Sequence, residues 1–229
     1  MNHSHGVRQR GARWTAALLV SAVVCLLSMS PASASMLAIQ SHGSNLSILN
    51  LTTTAGPLPI EVINGNVLGG DITPASLDGT PLPFMYCVDA SRDIFVPGTY
   101  AATVTSNGTI HGTAVAHADQ VAWLLGQYAT AASGNATKTA ALQAAIWEVM
   151  YGNQFTLHSP TAVVTQEGLY LTNVGTAPVS DYAWISPVSG TTLMQGQVTR
   201  VPEPSGTLLL GLALSGVFAL GWWRRPCVA

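Results

Sequence analysis

Charge is what this sequence has least of. Only 8% of its 229 residues are charged, well below the quarter that is usual in globular proteins. Lysine occurs once, at Lys138, and residues 35–200 hold three basic residues against nine acidic ones, a net charge of −6 with histidine counted as neutral. A segment with so few cations is a poor binder of phosphate backbones. The composition therefore argues against a nucleic-acid partner.

Cysteine is nearly as scarce, with three residues in the whole chain, Cys25, Cys87 and Cys227. The first and last lie in strongly apolar terminal segments, so the central part of the chain has Cys87 alone. Exported proteins usually pair their thiols as disulfides, and here no second thiol is at hand. Cys87 is therefore either a buried, inert side chain or a group with some other covalent partner.

Cofactor motifs are missing as well. The sequence has no phosphate-binding loop and no dinucleotide fingerprint. His111, His117 and His158 are not spaced like metal ligands, so we expect neither a cofactor nor a metal. A cysteine hydrolase that pairs Cys87 with one of these histidines is the enzymatic alternative, but no family spacing and no orienting Asn or Asp supports it. The sequence favours a protein that is not an enzyme.

The N-terminal segment follows the secretory pattern. Three arginines, an apolar run and a small-residue cleavage site occur in order, as Arg8, Arg10 and Arg13, then residues 15–27, then Ala32-Ser33-Ala34. This order is typical of a signal peptide that signal peptidase removes, and the run is short for a membrane span. No arginine pair precedes it, which favours the general secretory machinery over the twin-arginine route. We expect residues 1–34 to be cleaved.

The C-terminal segment combines three ordered features. Pro202-Glu203-Pro204 is followed by an apolar run over residues 207–223 and then by Arg224 and Arg225. The run has the length of a minimal transmembrane helix, and the two arginines are expected to stop it on the cytoplasmic side. This arrangement resembles the PEP-CTERM sorting signal. The resemblance implies processing by an exosortase, an inner-membrane intermediate, and a final place on the surface or in the extracellular matrix of a Gram-negative bacterium.

The central segment alternates between strand and helix patterns. Strands are predicted within residues 36–51, 93–105, 162–165, 168–173 and 182–185, together with a hairpin over 61–70 that turns at Asn64-Gly65. Residues 115–132 and 137–151 have helical periodicity and are separated by Ser133-Gly134-Asn135. We therefore expect an α+β fold: a β-rich, sandwich-like or barrel-like exported domain over 35–200 with an inserted helical hairpin, then residues 201–229 with one transmembrane helix.

Two motifs offer a partner for the lone thiol. Tyr86-Cys87-Val88-Asp89 lies upstream of Gln143-Ala144-Ala145-Ile146-Trp147 on the second predicted helix. In this the chain resembles the Cys-Gln thioester domain (TQXA) family of bacterial surface proteins, although Leu142 stands where the family often has threonine. The resemblance implies that Cys87 attacks the carboxamide of Gln143, releases ammonia and leaves an internal thioester. Tyr86, Asp89, Ile146 and Trp147 would then support the reacting pair.

The chemistry of such a bond is consistent with the sequence. A thioester is open to amines and hydroxyls, so its target would be an extracellular molecule that carries one of these groups, and a chain with a single lysine has few amines of its own to consume it. Closing the loop between the two residues would stabilise the fold by about 4 kcal/mol. Two plainer interpretations stay open: Cys87 as a small buried hydrophobe in a non-covalent matrix protein, and Asp89 as a turn cap.

Overall fold

The computed structural model describes residues 34–41, 45–55 and 61–200. Over these residues the fold is α+β, with a strand-rich curled sheet that forms a half-barrel and three α-helices. No helix within the described ranges is long and apolar enough to cross a membrane. The predicted signal peptide, apart from Ala34, and the predicted membrane helix over 207–223 lie outside the described residues.

The main sheet has eight strands, all paired in antiparallel fashion among the described residues. Its path runs β5-β4-β1-β7-β11-β13-β6, and β12 pairs with β11 at the side. The strands are β1 Ser35–Ile39, β4 Ala75–Leu77, β5 Thr80–Pro81, β6 Tyr86–Cys87, β7 Gly98–Thr105, β11 Tyr182–Ser189, β12 Thr192–Leu193 and β13 Gln197–Arg200. The two-residue strand that carries the cysteine thus lies at one edge of this sheet.

A second, three-stranded sheet has the order β10-β2-β3. Its strands are β2 Leu46–Ala55, β3 Glu61–Gly70 and β10 Phe155–Leu157. A small separate pair is formed by β8 Thr109–Ile110 and β9 Thr113–Ala114. The buried side chains Leu49 and Leu51 of β2 belong to the same core cluster as the helix side chains.

Three α-helices, α1 Ala118–Ala132, α2 Ala136–Tyr151 and α3 Thr161–Leu171, and two short 3-10 helices, Gly152–Gln154 and Val179–Asp181, complete the described part of the chain. The first two form the predicted hairpin, which is confirmed. The side chain of Asn135 accepts a hydrogen bond from the Lys138 N–H at 3.0 Å and caps α2. Gly152, with φ of 57°, ends the helix in a conformation that glycine adopts easily.

Helix α2 is the central element of the core. Every side chain from Thr139 to Trp147 is buried, so the helix is enclosed on all sides and not along one stripe. It packs against α1, α3, β2 and β3. A helix that is apolar all round is stable only when it is surrounded by protein. Any side chain in its middle, including Gln143, is therefore held in a dry and crowded place.

One strand prediction is wrong and a second holds only in part. Residues 61–70 do not form a hairpin, because β3 is a single strand that pairs with β2 from Ala55↔Glu61 to Leu46↔Gly70. An Asn-Gly turn would have left two arms of only a few residues, whereas β2 offers ten pairing positions. Of residues 93–105, only those from Gly98 onward are strand. The segment before it is an irregular loop that begins at Val88.

The strands predicted at 162–165 and 168–173 are also wrong, because Thr161–Leu171 is the helix α3. The β-branched residues Val163 and Val164 favour a strand when they are considered alone. The helical spacing of Val163, Glu167 and Tyr170 places their buried side chains on one face. Packing of α3 against α2 therefore outweighs local propensity.

The interface between α2 and α3 contains a pair of carboxyl groups. Glu167 is buried, and loss of water together with the nearby charge of Glu148 raises its pKa from 4.5 to about 8. The folded state therefore keeps a proton that the unfolded chain releases above its own pKa. The contribution of this proton to the free energy of unfolding is fully present below pH 4.5 and is lost as the pH rises toward 8.

We predict that the free energy of unfolding falls by up to about 1.4 kcal/mol per pH unit across this window. Glu167→Gln, which cannot ionise, should flatten the dependence, while the exposed Asp181→Asn should retain it. Thermal unfolding between pH 5 and pH 8.5 measures this. An equal slope in wild type and Glu167→Gln would show that Glu167 does not carry the proton.

Candidate functional site around Cys87

Cys87 and Gln143 lie side by side in the folded chain, 56 residues apart in sequence. The main-chain N–H of Cys87 donates to Gln143 Oε1 at 2.9 Å, and Gln143 Nε2 donates to the carbonyl oxygen of Cys87 at 2.8 Å. Cys87 is 1% exposed and Gln143 is 0% exposed. The two residues chosen from the sequence are therefore in direct contact inside the core.

The carboxamide of Gln143 takes the place of a neighbouring strand. On one side β6 pairs with β13, with Cys87 opposite Gln197 and Tyr86 opposite Val198. The free edge of β6 is then satisfied by Gln143, which offers one acceptor and one donor as a strand would. A buried main-chain N–H and C=O that lacked these bonds would be costly, so this contact is also structural.

The stem of Gln143 fits against β3 because Gly69 has no side chain. A Cβ at Gly69 would lie 3.1 Å from Gln143 Cγ and 2.5 Å from Leu49 Cδ1. The loop that leads to the cysteine is fixed by the buried carboxyl of Asp71, which accepts from the Met85 N–H at 3.0 Å. Both contacts set the position of Cys87 relative to α2.

The thiol itself faces β13. Cys87 Sγ donates to Gln195 Oε1 at 2.9 Å, and Gln197 Nε2 lies 3.6 Å from Sγ. Burial raises the pKa of the Cys87 thiol to about 12, although the Gln197 hydrogen bond acts in the opposite direction. At neutral pH the free side chain is therefore a neutral thiol and not a thiolate.

The four residues predicted to support the pair, Tyr86, Asp89, Ile146 and Trp147, have different surroundings. Tyr86 and Trp147 are buried, and neither the Tyr86 hydroxyl nor Trp147 Nε1 has a hydrogen-bond partner among the described residues. Ile146 is fully buried in the core cluster. Asp89 accepts from the Ser91 N–H and hydroxyl at 3.0 and 2.6 Å and pairs with Arg92. Its carboxylate thus holds the loop after the cysteine and does not contact Sγ.

The three histidines of the hydrolase alternative lie elsewhere. His111 Nε2 donates to the carbonyl oxygen of Met194 at 2.7 Å, and His158 is 3.2 Å from Thr52 Oγ1. His117 precedes α1 and is exposed. Among the residues that the structure describes, none of them hydrogen-bonds Cys87, and no group of three potential ligands is placed to hold a metal ion.

A cleft of about 490 Å³ opens beside the loop that follows the cysteine. Neither Cys87 nor Gln143 lines it, although Val88, the next residue after the cysteine, does. Its surface mixes apolar side chains, the Asp89–Arg92 ion pair and neutral polar groups, and its lining includes Val88, Asp89, Arg92, His111, Tyr151 and Leu193. The Tyr151 hydroxyl accepts from the Ala90 N–H at 3.1 Å and joins the cleft to the end of α2.

Sequence reasoning missed Gln195 and Gln197. Two glutamines two positions apart in a strand-like stretch point to the same face, but nothing in the sequence says that this face meets Cys87. The pairing of β6 with β13 places Gln197 opposite Cys87, and Gln195 lies just before β13. The sequence also gives no sign that Gly69 and Asp71 help to position the site.

Comparison of the chain with protein-family models, curated proteins and solved structures gives no match.

The two hydrogen bonds of Gln143 can be tested apart from any covalent bond. In a Cys87→Ala background, we predict that Gln143→Leu lowers the free energy of unfolding by about 1–3 kcal/mol for each main-chain group that is left unpaired. Gln166→Leu on α3, in the same background, is the matched control and should change little. Denaturant titration measures both, and equal stabilities would show that the buried contact does not support the fold.

Proposed function

We propose that this protein is exported and that Cys87 and Gln143 form an internal thioester, which captures an extracellular amine or hydroxyl once and covalently. The observation that carries the proposal is the carboxamide of Gln143, held by two hydrogen bonds on the main chain of the single cysteine in the described residues. Adhesion or cross-linking without turnover is the function that such a bond serves.

The bond would form by acyl transfer within the site. Sγ turns from Gln195 toward Cδ of Gln143, the C–S bond forms, and the bond between Cδ and Nε2 breaks. The thiol proton goes to the departing nitrogen, which leaves as ammonia. The Cys87 N–H already donates to Oε1, so it would stabilise the negative charge that develops on this oxygen.

Capture would reverse the role of the sulfur. An amine or alcohol adds to Cδ, the C–S bond breaks, and the proton of the nucleophile ends on the sulfur as a thiol. Burial of both residues limits hydrolysis by water before a target arrives. The single lysine of the sequence, Lys138, is exposed at the start of α2. Its amine therefore lies at the surface and not in the buried site, where it could compete with an external target.

A non-covalent matrix protein is the second candidate function. The hydrogen bonds of Gln143 satisfy buried main-chain groups that would otherwise be unpaired, and this structural role requires no thioester. In that case Cys87 stays a buried thiol with a raised pKa. The protein would still be exported and sorted in the same way.

Export and sorting rest on the two terminal segments. We propose that residues 1–34 direct secretion, that residues 207–223 form a transmembrane helix in an inner-membrane intermediate, and that an exosortase cleaves near Pro202-Glu203-Pro204. The domain would then act at the cell surface or in the extracellular matrix. The sequence pattern of apolar runs and flanking arginines supports this.

The intact mass of freshly purified domain tests the thioester. We expect a mass lower than the sequence mass by one ammonia, and no such deficit in Cys87→Ala or Gln143→Ala. Gln166→Ala, a matched control on α3, should keep the deficit. Methylamine should abolish it by adding to Gln143 and should release a thiol. A full sequence mass in fresh wild-type protein would contradict the proposal.

Processing is tested by Glu203→Ala in cells that secrete the protein. We expect the variant to stay in the membrane fraction at its unprocessed mass, while wild type is released from that fraction in a shorter form. Ser205→Ala, just outside the motif, should be processed like wild type. Equal processing of all three proteins would show that the motif is not the signal.

A further inference from the structure

One described group that touches the thiol also reaches the solvent. Cys87, Gln143 and Gln197 are each at most 1% exposed, whereas Gln195 is partly exposed. The Oε1 atom of Gln195 lies 2.9 Å from Cys87 Sγ. Gln195 thus contacts the sulfur and is part of the protein surface at the same time.

The main chain around Gln195 is fixed on several sides. The Gln195 N–H donates to the Asp93 carbonyl oxygen at 3.0 Å, and the Met194 N–H donates to that of Pro187 at 3.0 Å. The carbonyl oxygen of Gly196 accepts from the Val88 N–H at 2.9 Å. Because consecutive residues are anchored, uncovering the sulfur by a movement of the whole segment would break several main-chain bonds, whereas a rotation of the Gln195 side chain would leave them intact.

The carboxamide of Gln195 is held over the sulfur by a second glutamine. Gln197 Nε2 lies 3.3 Å from Gln195 Oε1 and 3.6 Å from Cys87 Sγ. Gln197 is fully buried, and its Oε1 atom has no hydrogen-bond partner among the described residues. Gln197 therefore adds a hydrogen bond that favours the closed position of Gln195 and leaves an unused acceptor beside the sulfur.

We propose that Gln195 is the access residue of the Cys87 site: its carboxamide covers the sulfur at rest and swings aside to admit a nucleophile. This rests on the proposed thioester for its biological meaning, but the cover itself does not depend on that bond. Opening breaks the hydrogen bond from Gln197 and, while Cys87 is a free thiol, the one from Sγ. An acylated sulfur has no proton to donate, so in the thioester the Gln197 bond alone favours the closed state, and the open state is reached by side-chain rotation. Gln195 acts here as a gating residue and not as a catalytic one.

The rate of methylamine capture, followed by intact mass, tests the gate when the mass deficit is present. Gln195→Ala removes both the cover and its hydrogen bonds, and we expect capture and spontaneous hydrolysis to be faster by roughly tenfold. Gln195→Met keeps the length but not the acceptor and should fall between wild type and Gln195→Ala. Gln166→Ala is the matched control and should capture at the wild-type rate.

A second readout makes the test independent of the thioester. In a Gln143→Ala background the thiol is free, and its alkylation by iodoacetamide in the folded protein reports access to Sγ. Added Gln195→Ala should raise this rate by a similar factor, while Gln166→Ala should not. If wild-type protein has the full sequence mass and Gln195→Ala speeds alkylation in the Gln143→Ala background, the thioester is refuted and the gate is supported. Unchanged capture and unchanged alkylation in Gln195→Ala would overturn the gate.

Discussion

The pairing of the Gln143 carboxamide with the main chain of Cys87 is the contact on which the rest of the site depends. It closes the free edge of β6, joins the central helix to the main sheet, and needs the missing side chain at Gly69 to fit. Because α2 is buried on every side, the Gln143 side chain is surrounded by protein and has no access to solvent. The same contact therefore serves the fold and brings the two proposed reacting groups together.

Burial of Cys87 and Gln143 has two opposing effects on the proposed thioester. Burial raises the pKa of the Cys87 thiol to about 12, which makes a free thiolate rare and slows any attack that requires one. The same burial keeps water from a thioester once it has formed. The proposed thioester would therefore form slowly and once and then persist, and access to it would depend on the side chain that covers it.

Much of the helical part of the fold was predictable, because α1 and α2 have clear periodicity and a Ser-Gly-Asn break between them. The contact between Cys87 and Gln143 was predictable from two local motifs. The elements that depend on tertiary contacts were not predictable. Helix α3 has β-branched residues that favour a strand until it packs on α2, and β3 pairs with the whole length of β2 and forms no hairpin. Gln197 is brought to the sulfur by strand pairing and Gln195 by the loop just before that strand, and neither long-range contact leaves a local pattern in the sequence.

Three glutamines contact Cys87, and we propose that Gln143 is the one that reacts. Peptide mapping after treatment with isotope-labelled methylamine tests this most directly. We expect the label on Gln143 alone, in equal amount to the thiol released at Cys87. Label on Gln195 or Gln197, or no label in fresh protein, would contradict the account.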